Sequence, residues 1–468
     1  MPGSYARINE DTIRYQPFAI YRIEDEDAQN FYIKNYLPVA VSAAAAPPRR
    51  TMGGAVALKQ TRRLAFAEIG NGLPQSGQWR QGFAIADMNG DGKPDLVLPP
   101  ARKTLGPPVI LLNEGAGNWR RWREATFPPL PYDYGAVVVA DFNGDGRPDI
   151  ALASHLVGVG VLLSDGNGKF RAFNDGLPPM KAGERTAQSF SSKTIQAVDW
   201  DGDGRIDLVL QQEAGGGRAL TATPDSLVVF LNRGDRWQLL DAGSGSRVAG
   251  DKVAIADFDG DGRPDAVLAS VQQGVKRLVR LNRGAALAAA DLDELPDGAY
   301  VETVAVADVN GDGKPDIVVA LQAWDGAQWI AGLDVMVNAG GRFIQRPLWR
   351  EASADHVTAL DIADIDGDGH PDIVALRKDG SLLSFISDGR GFFSQDATFR
   401  APAWRAGCTG VDVRVVDLDG PPHAAKAQRA IVAAFAGEPN PLEIPPRCRN
   451  EGGLATISVS VAPRGAED

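Results

Sequence analysis

A nine-residue pattern, D-x-[DN]-x-D-G-x-x-D, recurs six times along this 468-residue chain. The copies are "DMNGDGKPD" from Asp87, "DFNGDGRPD" from Asp141, "DWDGDGRID" from Asp199, "DFDGDGRPD" from Asp257, "DVNGDGKPD" from Asp308 and "DIDGDGHPD" from Asp364. A worn seventh copy, "DLDGPP", begins at Asp417, and successive starts lie 54, 58, 58, 51, 56 and 53 residues apart. A fixed period of this size means one supersecondary unit per step, with neighbouring units sharing a core.

Each acidic loop sits between two apolar runs of strand character, such as "GFAIA" before Asp87 and "DLVLPP" after it. A third run ends in a turn, as in "PVILLNEGAGNW" and "SLVVFLNRGDRW", and a fourth, weaker strand follows, as in "FRAFNDGLPP". Four strands per unit of about 55 residues is the signature of a propeller blade. The alternatives are independent calcium modules in tandem, or a linear solenoid. Closure argues for a ring: "LAFAEIGNGLP", Leu64 to Pro74, looks like a fourth strand placed before the first loop, while "LATISVSVAP" ends the last unit on its third. The expected fold is therefore all-β, a seven-bladed β-propeller of four-stranded blades spanning 61–468, closed by an N-terminal strand that completes the last blade. Residues 1–60 form an N-terminal extension or linker.

Within each loop the oxygen-bearing side chains stand at positions 1, 3, 5 and 9. They are Asp87, Asn89, Asp91 and Asp95; Asp141, Asn143, Asp145 and Asp149; Asp199, Asp201, Asp203 and Asp207; Asp257, Asp259, Asp261 and Asp265; Asp308, Asn310, Asp312 and Asp316; and Asp364, Asp366, Asp368 and Asp372. Glycines at positions 4 and 6 allow the sharp turn that brings alternate side chains to one centre. An all-oxygen set suits a hard cation, and calcium tolerates irregular shells at about 2.3–2.6 Å better than magnesium does. No His or Cys occupies a ligand side-chain position, which argues against zinc or copper. An EF-hand would need a Glu at position 12, where these loops carry Leu98, Leu152, Leu210, Leu268, Val319 and Ala375. Position 2 is apolar (Met88, Phe142, Trp200, Phe258, Val309, Ile365, Leu418) and is expected to pack inward.

The repeated loop between two strands resembles the FG-GAP or VCBS repeat family, whose blades build the integrin alpha-subunit propeller. The resemblance implies calcium on one rim, held by the side chains above and by the position-7 carbonyls of Lys93, Arg147, Arg205, Arg263, Lys314 and His370. The seventh loop departs from the family. Aligned without gaps, its positions 5 and 9 are Pro421 and Ala425, so six calcium ions are expected rather than seven. Twenty-one of the 60 acidic residues fall in the six loops, and six divalent ions would offset the net charge of −12.

That net charge argues against nucleic acid or anionic membranes as partners, since both require Lys and Arg to neutralise phosphates. No run reaches the roughly 18–20 apolar residues needed to insert in a bilayer. Oxygen-rich sites of this kind fill at extracellular calcium levels, so a secreted, periplasmic or cell-surface location is expected. The N-terminus gives only a weak export signal. Leu37 to Ala46 resembles a hydrophobic core followed by small residues, but acidic residues stand where a basic start belongs. Cys408 and Cys448 either form one disulfide or remain two buried thiols.

The expected role is recognition of a protein or glycan by the rim opposite the metal loops. Longer connections there are Gly176 to Lys193, Gln211 to Ser226 and Leu321 to Gly332. The last carries Trp324 and Trp329, which either contact a ligand or pack on the neighbouring blade. A lyase- or hydrolase-like enzyme and a structural scaffold are the alternatives. The four histidines, His155, His356, His370 and His423, form no recognisable motif, and no catalytic residue is assigned.

Overall fold

The computed structural model describes residues 52, 58, 64–104, 106–155, 157–180, 191–212, 226–240, 248, 250–399, 407–420, 429–437, 448 and 451–461. The strands all lie in a compact unit that runs from Arg49 to Asp468. They form seven four-stranded antiparallel sheets arranged as the blades of a propeller. Blade 1 comprises Ala84–Ala86, Asp95–Leu98, Val109–Gly115 and Asn118–Arg121, paired in chain order. Blades 2 to 6 repeat this order, starting from the innermost strands Gly135–Ala140, Ser192–Val198, Val253–Ala256, Tyr300–Ala307 and Val357–Ala363.

Blade 7 breaks the chain order in the expected way. Its first three strands are Thr409–Asp417, Arg429–Ala436 and Gly452–Val461, and its outer strand is Leu64–Ile69 from the other end of the repeat region. Leu64 pairs with Val461 and Ile69 with Thr456, antiparallel. The two ends of the repeat region thus meet within one sheet, which leaves the ring without an open blade edge at the seam.

The composition of each strand follows from its radius in the disc. First strands crowd around the axis, so small residues such as Ala84, Ala86, Ala136, Ala254 and Ala305 recur there, around an axial cavity of about 620 Å³. Second strands are covered on both faces by neighbouring blades, so they read as unbroken apolar runs, and Asp95–Leu98 and Asp149–Ser154 are buried throughout. Alternate residues face alternate blades: Leu96 and Leu98 join a cluster with Val432 and Leu454 of blade 7, while Val97 joins Ile150 and Leu152 of blade 2. Fourth strands lie at the circumference and mix exposed with covered positions, as in Leu64–Ile69.

Position 2 of every loop points inward as expected. Met88, Phe142, Trp200, Phe258, Val309, Ile365 and Leu418 are all at most 2% exposed. The side chain meets the residue that opens the fourth strand of the next blade: Phe142 packs edge-on against Trp237 at 5.8 Å, and Phe258 against Phe343 at 5.6 Å. Burying one such ring contributes about 1.5–3 kcal/mol, so the acidic loops also act as blade-to-blade wedges. Near the seam, Cys408 and Cys448 form a disulfide, and both residues are buried.

Candidate metal centre and the opposite rim

Each loop builds its turn before any ion is considered. In blade 1 the carboxylate of Asp87 accepts from the amides of Gly90 (2.8 Å), Asp91 (3.1 Å) and Gly92 (2.8 Å). Gly90 and Gly92 have φ of +75° and +84°. A Cβ on either would meet nothing within 4 Å, so backbone conformation rather than space requires glycine. The same bonds recur from Asp141, Asp199, Asp257, Asp308 and Asp364.

The position-9 aspartates have a second task. Asp95, Asp149, Asp207, Asp265, Asp316 and Asp372 are fully buried. In blade 1 one carboxylate oxygen of Asp95 accepts from the Met88 amide at 3.0 Å, and the other from the Asn113 amide at 2.8 Å, at the end of the third strand. Equivalent bonds reach Ser164, Asn232, Asn282, Asn338 and Ser387. Burial pushes these carboxyls up, to about 6 in Asp95, Asp149, Asp207, Asp265 and Asp316 and about 7 in Asp372, against the pull of the two amides. A buried carboxylate with like-charged neighbours gains from a nearby cation.

The donor set fits a hard divalent ion. Carboxylate oxygens of Asp199, Asp201 and Asp203 lie within 4.8 Å of one another, as do those of Asp257, Asp259 and Asp265, and of Asp364, Asp366 and Asp372. In loops 1, 2 and 5 an Asn takes position 3, and Asn89, Asn143 and Asn310 each accept from the position-5 amide. The position-7 side chains of Arg147, Arg205, Arg263, Lys314 and His370 are exposed, and Lys93 is half-exposed.

The seventh loop is corrected by register. Asp417 pairs with Arg429 and Val416 with Ala430, whereas in blade 1 the residue before the loop, Ala86, pairs with Asp95. Ala430 thus occupies the place of the position-9 aspartate, because the loop is longer than its six relatives. Pro421, Ala425 and His423 lie outside the described residues. With a buried Ala at that place, the seventh loop lacks the bracket the others share.

Sequence reasoning missed the asparagines and three arginines. Side-chain amides of Asn232, Asn282 and Asn338 donate to the position-2 carbonyls of the preceding blade, on Phe142, Trp200 and Phe258, at 2.7, 2.8 and 2.8 Å. The signal was present in the turns "LNEG", "LNRG" and "VNAG", but the acceptors lie a blade away. Arg233, Arg283 and Arg429 each reach a loop carboxylate.

On the opposite rim, Leu321 to Gly332 is strand rather than loop. Asp316–Trp324 and Trp329–Asn338 pair to their ends, with Trp324 opposite Trp329 across the turn 325–328. Trp324 is 47% exposed and meets Trp329 edge-on at 5.7 Å. Trp329 is half-buried against Tyr300 of its own blade, 6.1 Å away. Of the other long connections, 181–190 and 213–225 lie outside the described residues. The described histidines stand apart: the His155 ring lies tilted beside Tyr134 at 4.8 Å, His370 belongs to loop 6, and His356 lies 3.6 Å from Glu302.

A family model described as an FG-GAP-like repeat matches residues 101–152, 141–210 and 257–319. These are FG-GAP-like repeats. An FG-GAP propeller points to a protein-interaction module. Two curated relatives are phosphatidylinositol-glycan-specific phospholipase D of Mus musculus, 30% identical over 28% of this chain and 18% of that protein, and cartilage acidic protein 1 of Xenopus tropicalis, 28% identical over 35% and 25%. The chain therefore spans a quarter or less of either relative's length. Among solved structures, BBS1N in complex with ARL6DN is similar, with 11% identity, a TM-score of 0.50, and coverage of 87% of this chain and 99% of that one. At that identity the likeness concerns the fold alone.

Proposed function

We propose that this FG-GAP propeller is a calcium-stabilised recognition module working outside the cytoplasm, with six ions on one rim and a partner-binding surface on the other. The carrying observation is the blade 5 hairpin. Its second, third and fourth strands run 9, 10 and 10 residues, against 4, 7 and 4 in blade 1. It carries Trp324 and Trp329 to the end far from the metal loop, where a solvent-facing ring backed by a second ring suits a protein hot spot. The same aromatic pair favours a second reading, a glycan stacked on Trp324.

Calcium supports this function by holding blades rather than by touching the partner. The buried disulfide supports an oxidising location. A glycan array and a panel of extracellular proteins, probed with the native chain and with Trp324→Ala/Trp329→Ala, separate the two readings. Binding lost in the double variant supports the hairpin; binding unaltered by the double substitution removes it.

A further inference from the structure

The six loops divide into two kinds. Blades 1, 2 and 5 carry Asn89, Asn143 and Asn310 at position 3, hence three carboxylates per loop; blades 3, 4 and 6 carry Asp201, Asp259 and Asp366, hence four. Each four-carboxylate loop is met by an arginine from outside it. Arg233, in the turn before the fourth strand of blade 3, lies 2.6 Å from Asp201 and 3.1 Å from Asp203. Arg283 of blade 4 lies 2.6 Å from Asp259 and 3.2 Å from Asp261. Arg429 reaches back from blade 7 to Asp364 at 3.1 Å, and its Nε lies 3.6 Å from Asp417 of the seventh loop.

The three-carboxylate loops have no such partner among the described residues. Where blades 3 and 4 place Arg233 and Arg283, blades 1, 2 and 5 place Glu114, Asp165 and Ala339. Asp165 is spent on its own turn, accepting from the amides of Asn167 and Lys169. The fourth carboxylate and the arginine therefore occur together in all three loops.

We propose that Arg233, Arg283 and Arg429 are resident counter-cations, which hold loops 3, 4 and 6 in shape when calcium is absent and compete with the ion for the same carboxylates. Loops 1, 2 and 5 depend on the ion itself. The inference rests on the calcium reading. Its physical basis is that clustered carboxylates repel unless a cation lies among them, and a guanidinium is permanently charged and suited to bonding two carboxylates at once. Arg429 extends the scheme to blade 7, because a single guanidinium serves the first aspartates of loops 6 and 7. The seventh loop thus keeps a cation although it lacks a metal-binding set.

Hydrogen exchange read by mass spectrometry, on the whole chain with calcium and with a chelator, tests this loop by loop. On chelation, residues 87–95, 141–149 and 308–316 are expected to exchange at least about tenfold faster, while 199–207, 257–265 and 364–372 change by less than about threefold. Arg233→Gln is expected to bring 199–207 into the first group, to leave it protected in calcium, and to raise that loop's calcium affinity on the order of tenfold; Arg233→Lys should be intermediate. If chelation affects all six loops alike, or if Arg233→Gln loosens its loop equally with and without calcium, the inference is overturned while the calcium reading stands. If chelation changes no loop and titration shows no bound calcium, the calcium reading itself falls.

Discussion

The side-chain amide of Asn113 donates to the carbonyl of Leu418 at 2.9 Å, joining blade 1 to blade 7 across 305 positions of sequence. The same seam is held by Trp119 Nε1 donating to Thr456 Oγ1 at 2.8 Å, and by the Phe83 amide donating to Asp412 at 3.2 Å. Asn113 also accepts from the Gly115 amide, at 2.8 Å. Asn113→Ala should therefore leave the buried Leu418 carbonyl and the half-buried Gly115 amide without these partners and cost about 1–3 kcal/mol in urea unfolding. Ser164→Ala, in a blade where the shorter side chain only caps Gly166 at 3.0 Å, should cost less.

Within blade 5, the Arg350 side chain is 2% exposed and forms an ion pair with the fully buried Asp334. Its Nε also donates to the Met52 carbonyl at 2.9 Å. Asp334→Ala should strand a buried guanidinium and destabilise by about 3–5 kcal/mol. Asp334→Leu together with Arg350→Met should recover most of that loss, read from the midpoint of chemical unfolding.

These seam and core contacts mark the limit of what is legible in sequence. The acidic loops, the four-strand unit and the closing strand could be read because each is local and recurs, and Leu64–Ile69 lies where the missing fourth strand was expected. Partners a blade away leave no periodic trace, so neither Asn113 with Leu418 nor Arg429 with Asp364 could be paired beforehand. The seventh loop is longer than its six relatives, so its position-9 equivalent falls at Ala430 rather than Ala425, and Leu321 to Gly332 has the composition of a loop although its turn is only 325–328.

The disulfide between Cys408 and Cys448 closes a segment of 40 residues. The chain-entropy model gives about 4 kcal/mol for a loop of this size. Cys408→Ser, or reduction, should lower stability by roughly 2–4 kcal/mol, with the loss appearing first as faster exchange in the strands of blade 7.

Acidity should act on the position-9 carboxyls in a definite direction. Burial raises Asp95, Asp149, Asp207, Asp265 and Asp316 from 3.8 to about 6, and Asp372 to about 7. Folded-state values above the unfolded ones mean that their contribution to metal-free stability is fully present below pH 3.8 and lost as pH rises through 6 to 7. Calcium competes with those protons. The rise in Tm on adding calcium should accordingly be largest at pH 7.5 and shrink steadily toward pH 5.

Six loops of one geometry, and a seventh in which a buried Ala430 replaces the aspartate, set the central count. Native mass spectrometry of the intact chain in millimolar calcium, paired with melting before and after chelation, measures it directly. Six bound ions per chain and a clear fall in Tm on chelation are the predicted result. A chain that carries no calcium and melts at the same temperature with or without chelator would contradict the account.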